Sequence, residues 1–287
     1  MNLRSVSGVA RPLDFGYPTN RWIVVIMTGV FIVFWGIGGV VDGVWIGGVL
    51  DAVLAAVAVL LAWALCRELD PDLEISALIA AGICALVMLV LKLLDLQTSS
   101  IAPLLVVLLG MRVLNRTTGL PATASDIAAI LLLGIWVAQE WGALFLLLGI
   151  GALALDGAMA PMSRVKLLVA AAIAVLIGIW VLAGPIPALA PPDPVAGMLA
   201  IALAALLVPT MRAAGSIQAR ADDTDEPLMP QRIRAGQGLA VVAGVTAAAW
   251  QDWDGYLNLW PLWAAVIAAG GYRLARPYLG RYGSGSG

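Results

Sequence analysis

The sequence predicts an all-α integral membrane protein of about ten short transmembrane helices, arranged as five helical hairpins with both termini in the cytoplasm. Three observations carry that prediction. Of 287 residues, 62% are hydrophobic and 12% charged, whereas soluble domains carry roughly 25% charged residues. Mean hydropathy is +0.97, the level of a chain that dissolves in lipid. The basic residues also sort by side, falling at every second break between apolar runs.

The runs, in order, are 22–41, 44–66, 75–94, 99–114, 121–138, 141–159, 165–183, 194–211, 233–250 and 257–274. Paired, they make hairpins 22–66, 75–114, 121–159, 165–211 and 233–274 of one bundle spanning 22–274. A polar segment, 1–21, precedes the first span; it lacks the short apolar region of a cleavable signal peptide. Residues 212–232, "RAAGSIQARADDTDEPLMPQR", read as a flexible, solvated cytoplasmic connector. Residues 283–287 are a Gly/Ser linker-like tail and are set aside.

The breaks after the second, fourth, sixth, eighth and tenth runs hold Arg67; Arg112 and Arg116; Arg164 and Lys166; Arg212, Arg220, Arg232 and Arg234; and Arg273, Arg276 and Arg281. With Arg4, Arg11 and Arg21, 15 of the 16 basic residues lie on one side, and only Lys92 on the other. The positive-inside rule makes the rich side cytoplasmic, and the expected location is a bacterial cytoplasmic membrane. The poor side holds Asp42, Asp51, Asp95, Glu140, Asp193, Asp252 and Asp254, with nine of the 11 tryptophans.

Composition removes whole classes of chemistry. There is no histidine, which excludes histidine-based triads and most zinc sites. The net charge of −2 gives no footing for a nucleic-acid partner. Cys66 and Cys84 lie in apolar runs at no metal or redox spacing. No motif specifies a cofactor or a metal. The expected surroundings are the lipid bilayer, with membrane-protein partners or a second copy of the chain.

The stretch "GIWVAQEWGALF", 134–145, decides the topology locally. One helix through it would bury Glu140 mid-membrane and send Arg116 and Arg164 to opposite sides. A turn at Gln139–Glu140 preserves the charge sorting and makes Glu140 an outer-surface acid. "AWQDWDG", 249–255, echoes it, and "GIWV" recurs at 178–181, so a duplicated hairpin unit is one reading.

Candidate ligand-binding residues follow from this edge: Glu140, Trp136, Trp141, Asp252, Trp253 and Asp254. Indole rings beside carboxylates suit a cationic or amphiphilic ligand through cation–π contact; the structural alternative is an interfacial aromatic belt. Asp51 is the seventh candidate. It shares a helical face with Gly43, Gly47 and Ala55, which would point it into the bundle, unless helix two begins nearer residue 49 and Asp51 sits in its first turn. Lys92 is expected in an interfacial ion pair with Asp95. "RELDPDLE", 67–74, reads as an acidic turn rather than a cation loop, because Pro71 interrupts it and no glycine turn follows.

Enzyme signatures fail. "LDGAMAP", 155–161, begins like the CDP-alcohol phosphotransferase motif but has Pro161 where that family has arginine. "SRVK", 163–166, has Ser–Lys spacing without a partner motif. Ten spans in about 290 residues with both ends inside is similar in plan to the drug/metabolite transporter superfamily, without a motif of that family. The leading expectation is a permease of a small or amphiphilic, cationic solute. A non-catalytic accessory subunit of a membrane complex is the alternative, and a lipid-directed intramembrane enzyme the third.

Overall fold

The structure, a computed structural model, describes residues 6–40, 43, 45–96, 100–183 and 193–283, without the side chains of 176–183 and 280–283. Arg4, Asp42, the outer loop over 184–192 and the 284–287 tail lie outside the described residues, as do the Trp180 and Arg281 side chains. The chain is about 80% helix, with no strand among the described residues. Its helices are α1 Pro18–Val40, α2 Trp45–Leu69, α3 Glu74–Leu93, α4 Ile101–Asn115, α5 Ala124–Trp141, α6 Leu144–Ala158, α7 Arg164–Ala183, α8 Pro194–Leu206, α9 Val208–Ala213, α10 Pro230–Asn258 and α11 Trp260–Gly283. Five stretches are long and apolar enough to cross a membrane: α1, α2, α3, α5 and Pro194–Ser216. This is a helical membrane protein.

Helix starts have local causes. Pro18, Pro194 and Pro230 each open a helix, a position where the missing N–H has no partner to lose. Thr123 caps α5 in a reciprocal box: its hydroxyl accepts from the Asp126 N–H, and Asp126 accepts from the Thr123 N–H at 2.8 Å.

Chain contacts divide the protein into two compact units. The first comprises 1–12, 102–200 and 214–256. There α5 and α6 run antiparallel: a Cβ built on Gly134 would stand 3.2 Å from Leu146 Cα, and one on Gly149 2.8 Å from Ile130 Cγ2. The break between them is at Gly142–Ala143, three residues along from the expected turn at Gln139–Glu140. Gly142 has φ 62° and ψ −165°, backbone that a side chain would strain. Helix α10 is interrupted at Gln251 and Asp252, where the sequence places an outer turn; Asp252 has φ 55° and ψ −134°. Leu104, Met111, Leu114, Phe145 and Leu153 are fully buried at the core of this unit.

The connector departs from expectation. Most of its side chains are exposed, as a solvated segment requires, but 217–228 folds back on itself, Ala221 N donating to Glu226 O at 2.8 Å and Leu228 N to Ala219 O at 3.2 Å. It is tied to the loop after α4, Asp222 N donating to Thr117 O at 2.9 Å. Ala214, Ala221, Leu228 and Ile233 form a small buried cluster beneath it. Composition alone suggested disorder, but these four apolar side chains provide an anchor. The N-terminal arm docks alongside: Ser7 Oγ and Gly8 N both donate to Asp126, Thr118 Oγ1 donates to Gly8 O at 2.5 Å, and Arg11 pairs with Asp222.

The second unit comprises 13–101, 201–213 and 257–287. Helices α1 and α2 cross closely, a Cβ on Gly48 reaching 3.1 Å from Gly38 Cα. Without a hydrophobic drive inside lipid, such close packing of small residues is what holds helices together. Helix α11 packs on α2 and α3, burying Leu65, Leu69, Met88 and Trp263. At one end Arg273 donates to both oxygens of buried Asp70, at 2.6 and 2.7 Å. Arg67 pairs with Glu74 at 3.5 Å and lies over the Trp63 ring at 5.7 Å. The "RELDPDLE" turn is therefore an ion-paired helix connection.

Candidate functional site

In the first unit three separate segments supply an acidic, tryptophan-rich cluster: the α5–α6 turn, the residue before α8, and the break in α10. The α10 break frees Asp252 from the helical ladder, and its carboxylate accepts from the Asp193 N–H. Asp193 in turn caps α8. Its Oδ1 accepts from Val195 N at 2.7 Å and Ala196 N at 3.3 Å, and its Oδ2 from Trp253 Nε1 at 3.3 Å. Trp253 meets Tyr256 edge-on, ring centroids 5.8 Å apart. The α5–α6 turn joins this group because Gly142 abuts Trp250; a Cβ there would be 3.7 Å from the indole. Glu140, two residues away, is exposed, as are Trp253 and Asp254.

The predicted residues divide accordingly. Glu140, Asp252, Trp253 and Asp254 belong to this group of segments. Trp141 does not offer its ring: it is 4% exposed and packed edge-on to Phe145. Trp136 is 65% exposed on the outer face of α5. Asp51 belongs to the second unit. Helix α2 starts at Trp45, which puts Asp51 beyond the first turn. The buried small residues there are Gly48, Ala52 and Ala56, one position along from the expected stripe, of which Ala55 is buried too; Asp51 lies exposed and pairs with Lys92 Nζ at 3.2 Å.

No family model, curated protein or solved structure matches this chain.

The sequence missed a second constellation. Asp156, fully buried near the end of α6, accepts from three cations. Arg116 Nε lies 3.0 Å and Arg232 Nη1 2.8 Å from Oδ1, and Lys166 Nζ lies 2.5 Å from Oδ2. Arg232 also donates to the carbonyls of Leu114 and Ala160, each at 3.1 Å. Within the sequence, Asp156 and Lys166 sit in rejected enzyme motifs; the signal that survives is the excess of arginine around them. Among the described residues no three Cys, Asp or Glu side chains converge as metal ligands would.

The Asp193 cap gives a pH prediction. The Val195 N–H, and then those of Ala196 and Trp253, hold its carboxyl below the ordinary carboxylate range. A lowered folded-state value means the cap's contribution is full above the unfolded value near 4 and fades as pH falls through the lowered one. Protection of the Val195 and Ala196 amides, relative to their intrinsic exchange rates, should therefore fall on acidification below about pH 4. Asp193→Asn should flatten that dependence; protection equally pH-sensitive in the variant would refute the assignment.

Proposed function

We propose that this chain is a permease for small cationic amphiphiles, which it receives at the acidic tryptophan cluster of its first unit. The observation that carries the reading is the break in α10. Asp252 is held there in a backbone conformation that costs on the order of 1–3 kcal/mol, its carboxylate on the Asp193 N–H and the exposed Trp253 next in the chain. In the hairpin reading this break is the turn between the ninth and tenth spans, so its polar groups stand at the outer surface where a solute arrives. Asp193, Asp252, Glu140 and Asp254 supply negative charge, and Trp250 and Trp253 supply faces for an apolar cation. With this reading goes the finer topology: ten spans in five hairpins, both termini on the arginine-rich cytoplasmic side of a bacterial inner membrane, as the charge sorting supports.

The test uses tetraphenylphosphonium, a bulky apolar cation. Purified full-length protein should bind it with quenching of tryptophan fluorescence, and proteoliposomes should accumulate it. Asp252→Asn should weaken binding about tenfold, the worth of one charge-assisted contact, and Glu140→Gln should weaken it less. Uptake unaffected by both substitutions, with another membrane protein co-purifying, would overturn the permease and support the accessory-subunit reading.

A further inference from the structure

We propose that the Arg116–Lys166 edge of the Asp156 cluster is a binding site for a phosphate-bearing anion, supplied by the headgroup of an anionic phospholipid. Three cations converge on a single carboxylate. One carboxylate and two carbonyls complete Arg232, which is 3% exposed. Arg116 and Lys166 stand outside it, with side chains 15% and 10% exposed. Lys166 has three N–H donors, and only one meets an acceptor among the described residues. Arg116 directs Nε and one terminal nitrogen at Asp156, leaving its other terminal nitrogen without an acceptor there. Positive charge in excess of its counter-charge, partly withdrawn from water, is expensive, and an anion at the open edge would offset it.

The surroundings select a lipid as the source. Just before α7 and on its first turns, Met162, Val165 and Leu168 are 63%, 70% and 70% exposed, an apolar surface suited to acyl chains. Arg164 lies exposed among them and has no ion pair among the described residues. A phosphodiester at Lys166 and Arg116 would therefore sit beside a segment whose exposed apolar side chains suit its acyl chains, with Arg164 two residues along the chain. Free phosphate could use the same donors but gains nothing from that flank. The site is separate from the tryptophan cluster and does not depend on the permease reading.

The experiment compares the full-length protein in nanodiscs of phosphatidylcholine alone, with phosphatidylglycerol added, or with inorganic phosphate in the buffer, following thermal midpoint and lipid retained in native mass spectrometry. Phosphatidylglycerol should raise the midpoint and remain bound, and phosphate should do much less. Lys166→Gln should reduce retention about tenfold, and Lys166→Arg should keep it. If Lys166→Gln does not fold, Arg164→Gln, on the exposed rim, should still show reduced retention. Equal retention by wild type and Arg164→Gln together with Lys166→Gln, or no gain from phosphatidylglycerol over phosphatidylcholine, would overturn the proposal. Stabilisation by phosphate equal to that by phosphatidylglycerol would overturn the lipid as its source.

Discussion

Asp156→Ala is expected to destabilise the protein by about 3–5 kcal/mol, the penalty for leaving buried charge without its partner. Three cations lose one common acceptor, and Arg232, 3% exposed, has no route to water. Asp156→Asn should fall between, since the amide oxygen still accepts a hydrogen bond but carries no charge. The exposed pair Arg220–Asp225, with side chains 57% and 82% exposed, is the control: Arg220→Ala should change stability by less than about 0.5 kcal/mol. Unfolding by SDS titration in mixed micelles, followed by tryptophan fluorescence, measures all three. An Asp156→Ala loss no greater than that of Arg220→Ala would mean that the cluster is not buried charge at all.

The second large effect is steric. A Cβ at Gly270 would lie 2.0 Å from the carbonyl oxygen of Leu206 and 2.7 Å from its carbon. That neighbour is backbone and cannot turn aside, so even alanine must push α8 and α11 apart at this point. Gly270→Ala should cost about 1–3 kcal/mol, and Gly270→Val more. Gly271, the next residue, has nothing within 4 Å of such an atom. Gly271→Ala should be neutral or stabilising by up to about 1 kcal/mol, because alanine favours the helix. Equal thermal midpoints for the two alanine variants would contradict the close helix contact.

What the sequence disclosed was mostly local. Apolar runs bounded by prolines and charges located most helices to within a few residues, although α11 runs on to Gly283, nine residues past the expected end, and the acid-and-tryptophan pattern of "AQEWG" and "WQDWDG" pointed to the breaks at Gly142 and Asp252. What it concealed was register and distance. One helical position separates Asp51 from the buried Gly48–Ala52 stripe, an offset of about 100° that a pattern of small residues cannot resolve. The connector concealed its fold because Ala214, Ala221, Leu228 and Ile233 are spread among many charges, and only their convergence makes a core. The Asp156 cluster draws its members from α6, α7, α10 and the residue after α4, and no periodicity links them.

That dispersion has a consequence for biogenesis. Asp156 and Lys166 are ten residues apart, but Arg232 follows Asp156 by 76 residues. At about 5–20 residues per second, ribosomal synthesis takes roughly 4–15 s to deliver it. Through that interval the carboxylate has only Arg116 and Lys166, and the α4–α6 surface awaits the helix that covers it. The last charge to arrive acts as a latch, and the cluster closes only once α10 has been made.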